Sequence, residues 1–354
     1  MKLRRQSPPR PALAAVALAA CAALAACSSS SSGASNTSAA SQGSGAMATI
    51  RIGTPLANAE EVPIWLGQEN GVFKKYGLNV TVAALGSGPI VTSALSSGSV
   101  EVALDDATTL IGAVQKNVGI ESVAQYSNAT PSELIASKSW AAAHHLTAKS
   151  PLSAIVHALV GARVGAASDV ITGHEDVLLK SEGVSPSSVK QVTVNSSGSE
   201  QNLLVSGQLD AFVAGPPLPN EMQASGQGVI LVDEGTPSAW SDSGINLSVA
   251  ANTAWAKANP GTLKKLISAI HEATSDLLAN PASAQQAAQK NLPGTSESAL
   301  LYTYPLEKYS ACTKQTAALW SQTIKVGVLS GDLSAGATAP EGTVWTNQYI
   351  DVSC

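Results

Sequence analysis

The 354-residue chain is 44% apolar, 13% charged and 4% aromatic, against about a quarter charged in an ordinary globular domain, which excludes disorder driven by charge. Lys2, Arg4, Arg5 and Arg10 lie in the first ten positions, and the remainder carries 16 basic against 25 acidic residues, a net charge of −9. Only Arg51 and Arg163 remain as arginines there, so no phosphate-neutralising stripe exists and nucleic acid is excluded as a partner.

Residues 11–26 are uncharged and rich in Ala, Leu and Val after that basic start, the layout of a secretory signal. The run falls short of the roughly 20 residues needed to cross a bilayer. It ends Leu24-Ala25-Ala26-Cys27, which is similar to the bacterial lipobox; the same tetrapeptide ends at Cys21. Cutting before Cys27 leaves the even pair Cys312 and Cys354 in the body, whereas cutting before Cys21 strands a thiol. The expectation is a signal peptide over 1–26, lipid on Cys27, and a Ser/Gly-rich tether over 27–47 that cannot bury enough apolar surface to fold. The folded body then stands on the outer face of a bacterial cell membrane, with Cys312 and Cys354 bonded.

From Ile50 short β-branched runs alternate with helical stretches, the signature of parallel α/β units. The spacing predicts strands near 49–53, 79–84 and 100–104, then near 162–166, 190–194, 210–214 and 228–232. The pattern is duplicated. Arg51-Ile52-Gly53 returns as Arg163-Val164-Gly165, Asn70-Gly71-Val72 as Glu182-Gly183-Val184, and Val80-Thr81-Val82 as Val192-Thr193-Val194, all 112 positions later. Leu95-x-Ser97-Gly98-x-Val100-Glu101 returns as Leu204-x-Ser206-Gly207-x-Leu209-Asp210 at an offset of 109. So long a period means two similar lobes, not a solenoid. Lobe 1 is expected over 48–136 and 247–354, lobe 2 over 137–246, with crossings near Glu133–Ala136 and Ile245–Val249 acting as a hinge. Beyond Pro260 the chain reads as helical, with Leu263, Leu266, Ile267, Ile270, Leu277 and Leu278 as its apolar spacing.

Ile50-Arg51-Ile52-Gly53, the run Glu69 to Val80, Gly86-Ser87-Gly88-Pro89, Leu95 to Ala103, and Ser206 to Ala211 together resemble the substrate-binding proteins of ABC importers in the nitrate, sulfonate, taurine and thiamine-precursor-binding group. The resemblance implies a type II periplasmic-binding-protein fold, two Rossmann-like α/β lobes closing on a small solute. It further implies a permease and its ATPase as partners, no cofactor and no catalysis. A monomer is expected. The alternatives are an enzyme of the thiamine-precursor-synthesis type on the same fold and a lipoprotein receptor without transport; an export signal and tether favour a receptor over intracellular biosynthesis.

Ligands of open α/β lobes meet the loops beyond the carboxyl ends of strands. That rule nominates Thr54, Asn58, Gly86, Ser87, Gly88, Asp105 and Asp106 in lobe 1, with Trp65 either against the ligand or structural. In lobe 2 it nominates Ser168, Asp169, Ser197, Ser199 and Pro216. Asp105 and Asp106 favour an amine-bearing or zwitterionic solute, unless one of them only caps a helix. No nucleophile elbow or complete phosphate loop occurs, Ser187-Ser188-Val189-Lys190 lacks a Lys-Thr-Gly partner, and the adjacent His144-His145 points in two directions, so neither catalysis nor a metal is expected.

Overall fold

The computed structural model describes residues 47–55, 59–129, 132–194, 197–233, 235–293 and 309–353. The leader and tether with Cys21 and Cys27, the loop residue Asn58, and Cys354 lie outside these residues.

The body begins with β1 (Ala48–Thr54), α1 (Val62–Glu69), α2 (Val72–Lys75), β2 (Leu78–Ala84), α3 (Gly88–Ser96), β3 (Val102–Asp106), α4 (Ala107–Gln115) and β4 (Ile120–Ser127). The chain then crosses to β5 (Glu133–Ser137), α5 (Lys138–Ala143), α6 (Leu152–Ala158), β6 (Arg163–Ala166), α7 (Asp169–Ser181), β7 (Lys190–Thr193), α8 (Ser197–Val205), β8 (Ala211–Ala214), α9 (Leu218–Ala224) and β9 (Gly228–Val232). A second crossing leads to β10 (Leu247–Asn252), α10 (Thr253–Ala258), α11 (Pro260–Ala279), α12 (Pro281–Asn291) and a last described helix, α13 (Ala317–Ser330).

Two five-stranded sheets result, ordered β2-β1-β3-β10-β4 and β7-β6-β8-β5-β9. Each has four mutually parallel strands, and the strand that follows a crossing lies antiparallel between the third and the last of them. Strand β5, from Glu133, pairs with β8 and β9 in the second sheet.

The duplication is physical. Arg51 donates its backbone N–H (2.8 Å) and Nη2 (2.6 Å) to Glu101, and Arg163 does the same to Asp210 at 2.8 and 2.6 Å. Each pair ties the first strand of a lobe to the start of the third, so both body arginines are bound to structural carboxylates. The matching turns also repeat: Gly71 and Gly183 sit at φ 73° and 76°, Gly98 and Gly207 at 75° and 72°, a left-handed conformation in which a side chain is disfavoured.

Helices α1, α11 and α12 cover one face of the first sheet, with Leu263, Leu266, Ile267, Ile270 and Leu277 all buried. Leu278, expected in the same stripe, is 46% exposed, since it follows Leu277 by one residue and turns about 100° away from the buried face. The other face carries α3 and α4. Helix α13 was expected to belong to lobe 1 alone, yet Trp320 joins the lobe 1 core while Val326 joins the core of lobe 2. Its neighbours alternate in the same way along its length, so α13 is a third link between the lobes.

The second crossing docks on that link. Ile245 N–H donates to Thr323 Oγ1 (2.9 Å), which in turn donates to the Ile245 carbonyl (3.1 Å). Gly244, at φ 77°, allows the approach, because a Cβ there would meet the Leu319 carbonyl and lie 2.6 Å from the Thr323 backbone nitrogen. Left-handed strain and overpacking each contribute about 1–3 kcal/mol. Gly244→Ala is therefore expected to lower the denaturant midpoint by the equivalent of at least ~2 kcal/mol; an unchanged midpoint would show that α13 is not held there.

Candidate functional site

The sheet registers locate the strand ends. Asp106 at the end of β3 pairs with Leu247, which also pairs with Ser127 at the end of β4. In lobe 2, Ala214 at the end of β8 pairs with Glu133, and Val232 at the end of β9 pairs with Leu134. The carboxyl ends of both sheets therefore meet the two crossings, which form the floor between the lobes.

The nominated residues divide into several groups. Thr54 is fully buried and donates from Oγ1 to the equally buried Glu61. Trp65 is 6% exposed within the lobe 1 core. Gly86 (φ 104°) donates its N–H to the Pro55 carbonyl at 2.7 Å, shaping the turn before α3. Ser87 occupies the N-cap of α3 without a side-chain cap bond, and the space beside Gly88 is open. Pro89 has no N–H and the Ile90 N–H donates to the Ser87 carbonyl at 3.1 Å, so of this first turn Gly88 keeps a backbone donor available. Ser168 caps α7 by accepting from Ile171 N–H at 3.3 Å, while Asp169 and Ser197 are the opening residues of α7 and α8. Ser199 is half-buried in the first turn of α8, and Pro216 is half-buried in the loop between β8 and α9.

The two aspartates behave differently, and Asp106 takes the capping role that the sequence left open for one of them. Asp106 Oδ1 accepts from Thr109 N–H (2.8 Å) and Thr108 Oγ1 (2.6 Å), capping α4. Asp105 is fully buried; Thr92 Oγ1 donates to its Oδ2 at 3.2 Å and its Oδ1 has no partner. Burial pushes the Asp105 carboxyl up to about 7, the adjacent charge of Asp106 adds to the rise, and the Thr92 bond opposes it.

Sequence reasoning did not single out the polar groups beside the first crossing. Glu133, 2% exposed, accepts on Oε1 from Asn220 Nδ2 at 2.9 Å, while Glu133 Oε2 and Asn220 Oδ1 have no partners. Burial raises Glu133 to about 7, the Asn220 bond opposes this, and Asp233 adds to it. One residue earlier, Ser132 Oγ lies 2.7 Å from His174 Nδ1 on α7. Glu200, in the first turn of α8, is fully buried with both carboxyl oxygens unpartnered, and burial alone lifts it to about 7. A glutamate at a strand start carries no sequence signal for a partner 87 positions later.

Among the described residues no group of three or more His, Cys, Asp or Glu side chains could hold a metal ion, and His144 stacks on Trp140 at 4.3 Å. No described helix is long and apolar enough to cross a membrane.

Two sheets of matching plan, facing each other across paired crossings, define the two-lobed fold of periplasmic binding proteins. Residues 58–284 match the family model described as NMT1/THI5 like. The match spans more than half of the chain, which belongs to that family. Among solved structures, the periplasmic aliphatic sulphonate binding protein of Escherichia coli is similar at 14% identity and TM-score 0.64, covering 80% of this chain and 91% of that one. The alkanesulfonate-binding protein of Xanthomonas axonopodis pv. citri, solved with MOPS bound, gives 14% and 0.60 over 81% and 94%. The periplasmic nitrate-binding protein of Synechocystis PCC 6803 gives 15% and 0.60 over 82% and 83%. No curated protein matches the chain.

Proposed function

We propose that the chain is an extracytoplasmic solute-binding protein, lipid-anchored through Cys27, that captures a small polar solute between its lobes and delivers it to the permease and ATPase of an ABC importer. The observation that carries this reading is the placement of the strand ends. They converge on the crossings, where Asp105, Glu133 and Asn220 hold unpartnered acceptor oxygens, and the uncapped start of α3 adds the Gly88 N–H as a donor. Donors suit a sulfonate or carboxylate, and acceptors suit an ammonium. An arginine clamp is not part of the proposal, since Arg51 and Arg163 are tied to Glu101 and Asp210. A zwitterion with an amine at one end and a sulfonate at the other satisfies both halves. Binding proteins of sulfonates and nitrate share the fold, and MOPS, bound by one of them, itself joins an amine to a sulfonate.

A thermal-shift screen of taurine, alkanesulfonates, nitrate, aminopyrimidines and amino acids tests the reading, because a solute that binds only the folded state raises the melting temperature. Taurine or an aminopyrimidine is expected to stabilise more than nitrate; a preference for nitrate over every amine contradicts the charge argument. For the anchor, Cys27→Ala is expected to release the protein from membranes or leave it unprocessed, whereas Cys21→Ala should not. The reverse result would move the lipid to Cys21.

A further inference from the structure

Helix α13 touches the two lobes through different kinds of contact. Among the described residues, its hydrogen bonds beyond its own helix and flanks all run to lobe 2 or to the second crossing. Lys180 Nζ on α7 donates to the Leu329 carbonyl in the last turn of α13 at 2.6 Å. Gln322 Nε2 donates to the Asp242 carbonyl at 2.6 Å and to Asp242 Oδ2 at 3.1 Å, two residues after Trp240, which is buried in the core of lobe 2. Thr323 exchanges its pair of bonds with Ile245 on the crossing.

Against lobe 1 the contact of the same helix is apolar. Trp320 is 1% exposed there and its indole N–H has no partner, with Leu319, Ile324 and Val328 packed in the same cluster. A Cβ at Gly327 would stand 3.0 Å from Thr108 Cγ2 on α4. Apolar contact has no preferred direction, so this face can slide in small steps, whereas a hydrogen bond weakens steeply once it leaves its axis. The residues ahead of the helix are held differently. Gln315 Nε2 donates to the Ser122 and Thr346 carbonyls (3.3 and 3.1 Å), its backbone N–H donates to Asn347 Oδ1 (3.0 Å), and its Oε1 accepts from Ser122 Oγ (2.6 Å). Lobe 1 thus grips the entry, and Thr316, extended at φ −133° and ψ 153°, joins it to the helix.

We propose that α13 travels with lobe 2 when the lobes move, pivoting at Gln315–Thr316 and sliding over α4 of lobe 1, with Lys180 as the latch that keeps its far end on α7. The proposal rests on the reading that the lobes are hinged at the crossings. It combines two known elements of domain motion, a pivot of a few residues at the end of an element and shear between packed helices. The latch suits its place, because the last carbonyls of a helix carry partial negative charge that a lysine ammonium complements. Asp176, one turn back on α7, accepts from the same Nζ at 2.8 Å and keeps it in position. Val326 and Leu329 add apolar contact with lobe 2, and a Cβ at Gly173 of α7 would stand 3.4 Å from Ser330 Cβ, so the two helices lie close along this end.

The test needs no solute. Spin labels are placed in pairs on the full chain at three exposed positions, Lys74→Cys in lobe 1, Lys190→Cys in lobe 2 and Lys325→Cys on α13, in a background of Cys21→Ser and Cys27→Ser that leaves the bonded Cys312 intact. Double electron–electron resonance then gives the spread of each distance. The pairs 74 with 190 and 74 with 325 are expected to give broad distributions, and 190 with 325 a narrow one. Lys180→Met, which keeps the aliphatic stem and removes the donor, should widen the 190 with 325 distribution towards the width of the other two. A 190 with 325 distribution as broad as the lobe-to-lobe one in the unlatched and latched proteins alike, or a narrow 74 with 325 distribution beside a broad lobe-to-lobe one, would overturn the proposal and leave the hinge standing. A narrow lobe-to-lobe distribution would overturn the proposal together with the hinge it rests on. A 190 with 325 distribution that stays narrow in Lys180→Met would overturn the role of Lys180 as the latch.

Discussion

Cys312→Ser is expected to destabilise the body by about 4 kcal/mol, on the chain-entropy account of a cross-link closing a loop of some forty residues. Cys312 is disulfide-bonded, and Cys354 is the partner we propose. The segment it anchors is built into lobe 1: Gln125 N–H donates to the Thr313 carbonyl at 3.0 Å, Ser310 N–H to the Tyr126 carbonyl at 2.8 Å, and Gln125 Nε2 to the Cys312 carbonyl. This run lies along β4 like an extra strand, and beyond it Thr316 caps α13 by accepting from Leu319 N–H at 3.2 Å. Losing the cross-link should therefore loosen the entry to α13 as well as the C-terminal segment. Urea denaturation of the wild type with and without reductant, beside Cys312→Ser, measures the effect. A variant as stable as the oxidised protein would contradict it, and a mass showing two free thiols in the untreated protein would remove its premise.

The ligand-free protein should be more stable at pH 5.5 than at pH 8. Asp105, Glu133, Glu175 and Glu200 are each raised to about 7, chiefly by burial. Their ordinary values lie near 4, so between about 4 and 7 the folded state holds more protons than the unfolded one. Their contribution is present in full below the unfolded value and is lost as pH rises through 7. Each tenfold change in proton affinity is worth about 1.4 kcal/mol, so four such groups together give a gain on the order of several kcal/mol. His174 works the other way, since its folded value is lowered and acid costs stability below about 6.5; it is one group against four. Glu101, Asp210 and Glu272, held below their ordinary range by Arg51, Arg163 and Lys75, lose their contribution only in stronger acid, below about 4. Melting curves from pH 5 to 8 check the sign. Glu200→Gln, which removes a charge whose two oxygens have no partners, should raise stability at pH 8 and flatten the profile. A profile that falls toward pH 5.5 would show that these carboxyls are ionised and solvated in the folded state.

The two lobes were legible because the same physical needs recur at a fixed offset. An arginine at the edge of a first strand requires an acid at the start of the third, and a helix that must turn back requires a glycine at positive φ. Arg51 with Glu101 and Arg163 with Asp210 meet the first need, and Gly71 with Gly183 meet the second. The Asp105-Asp106 pair was visible as chemistry, but its division was not. Which of two neighbours turns back to cap α4 depends on the backbone at the end of β3, where Asp106 has ψ 129°. Glu133 with Asn220 and Ser132 with His174 join residues 87 and 42 positions apart, and no local pattern records such meetings. Helix α13 escaped for a related reason. Its apolar residues serve two cores on different sides, so they form no single stripe.

The central claim is that the two lobes close on a small solute at the crossings, and small-angle X-ray scattering of the protein with and without the best-stabilising solute of the screen tests it most directly. The radius of gyration is expected to fall at saturation, as hinge closure requires, and the fall should be lost in Glu133→Gln when that solute bears an amine. An unchanged radius at proven saturation, or no stabilising solute among the classes screened, would contradict the account.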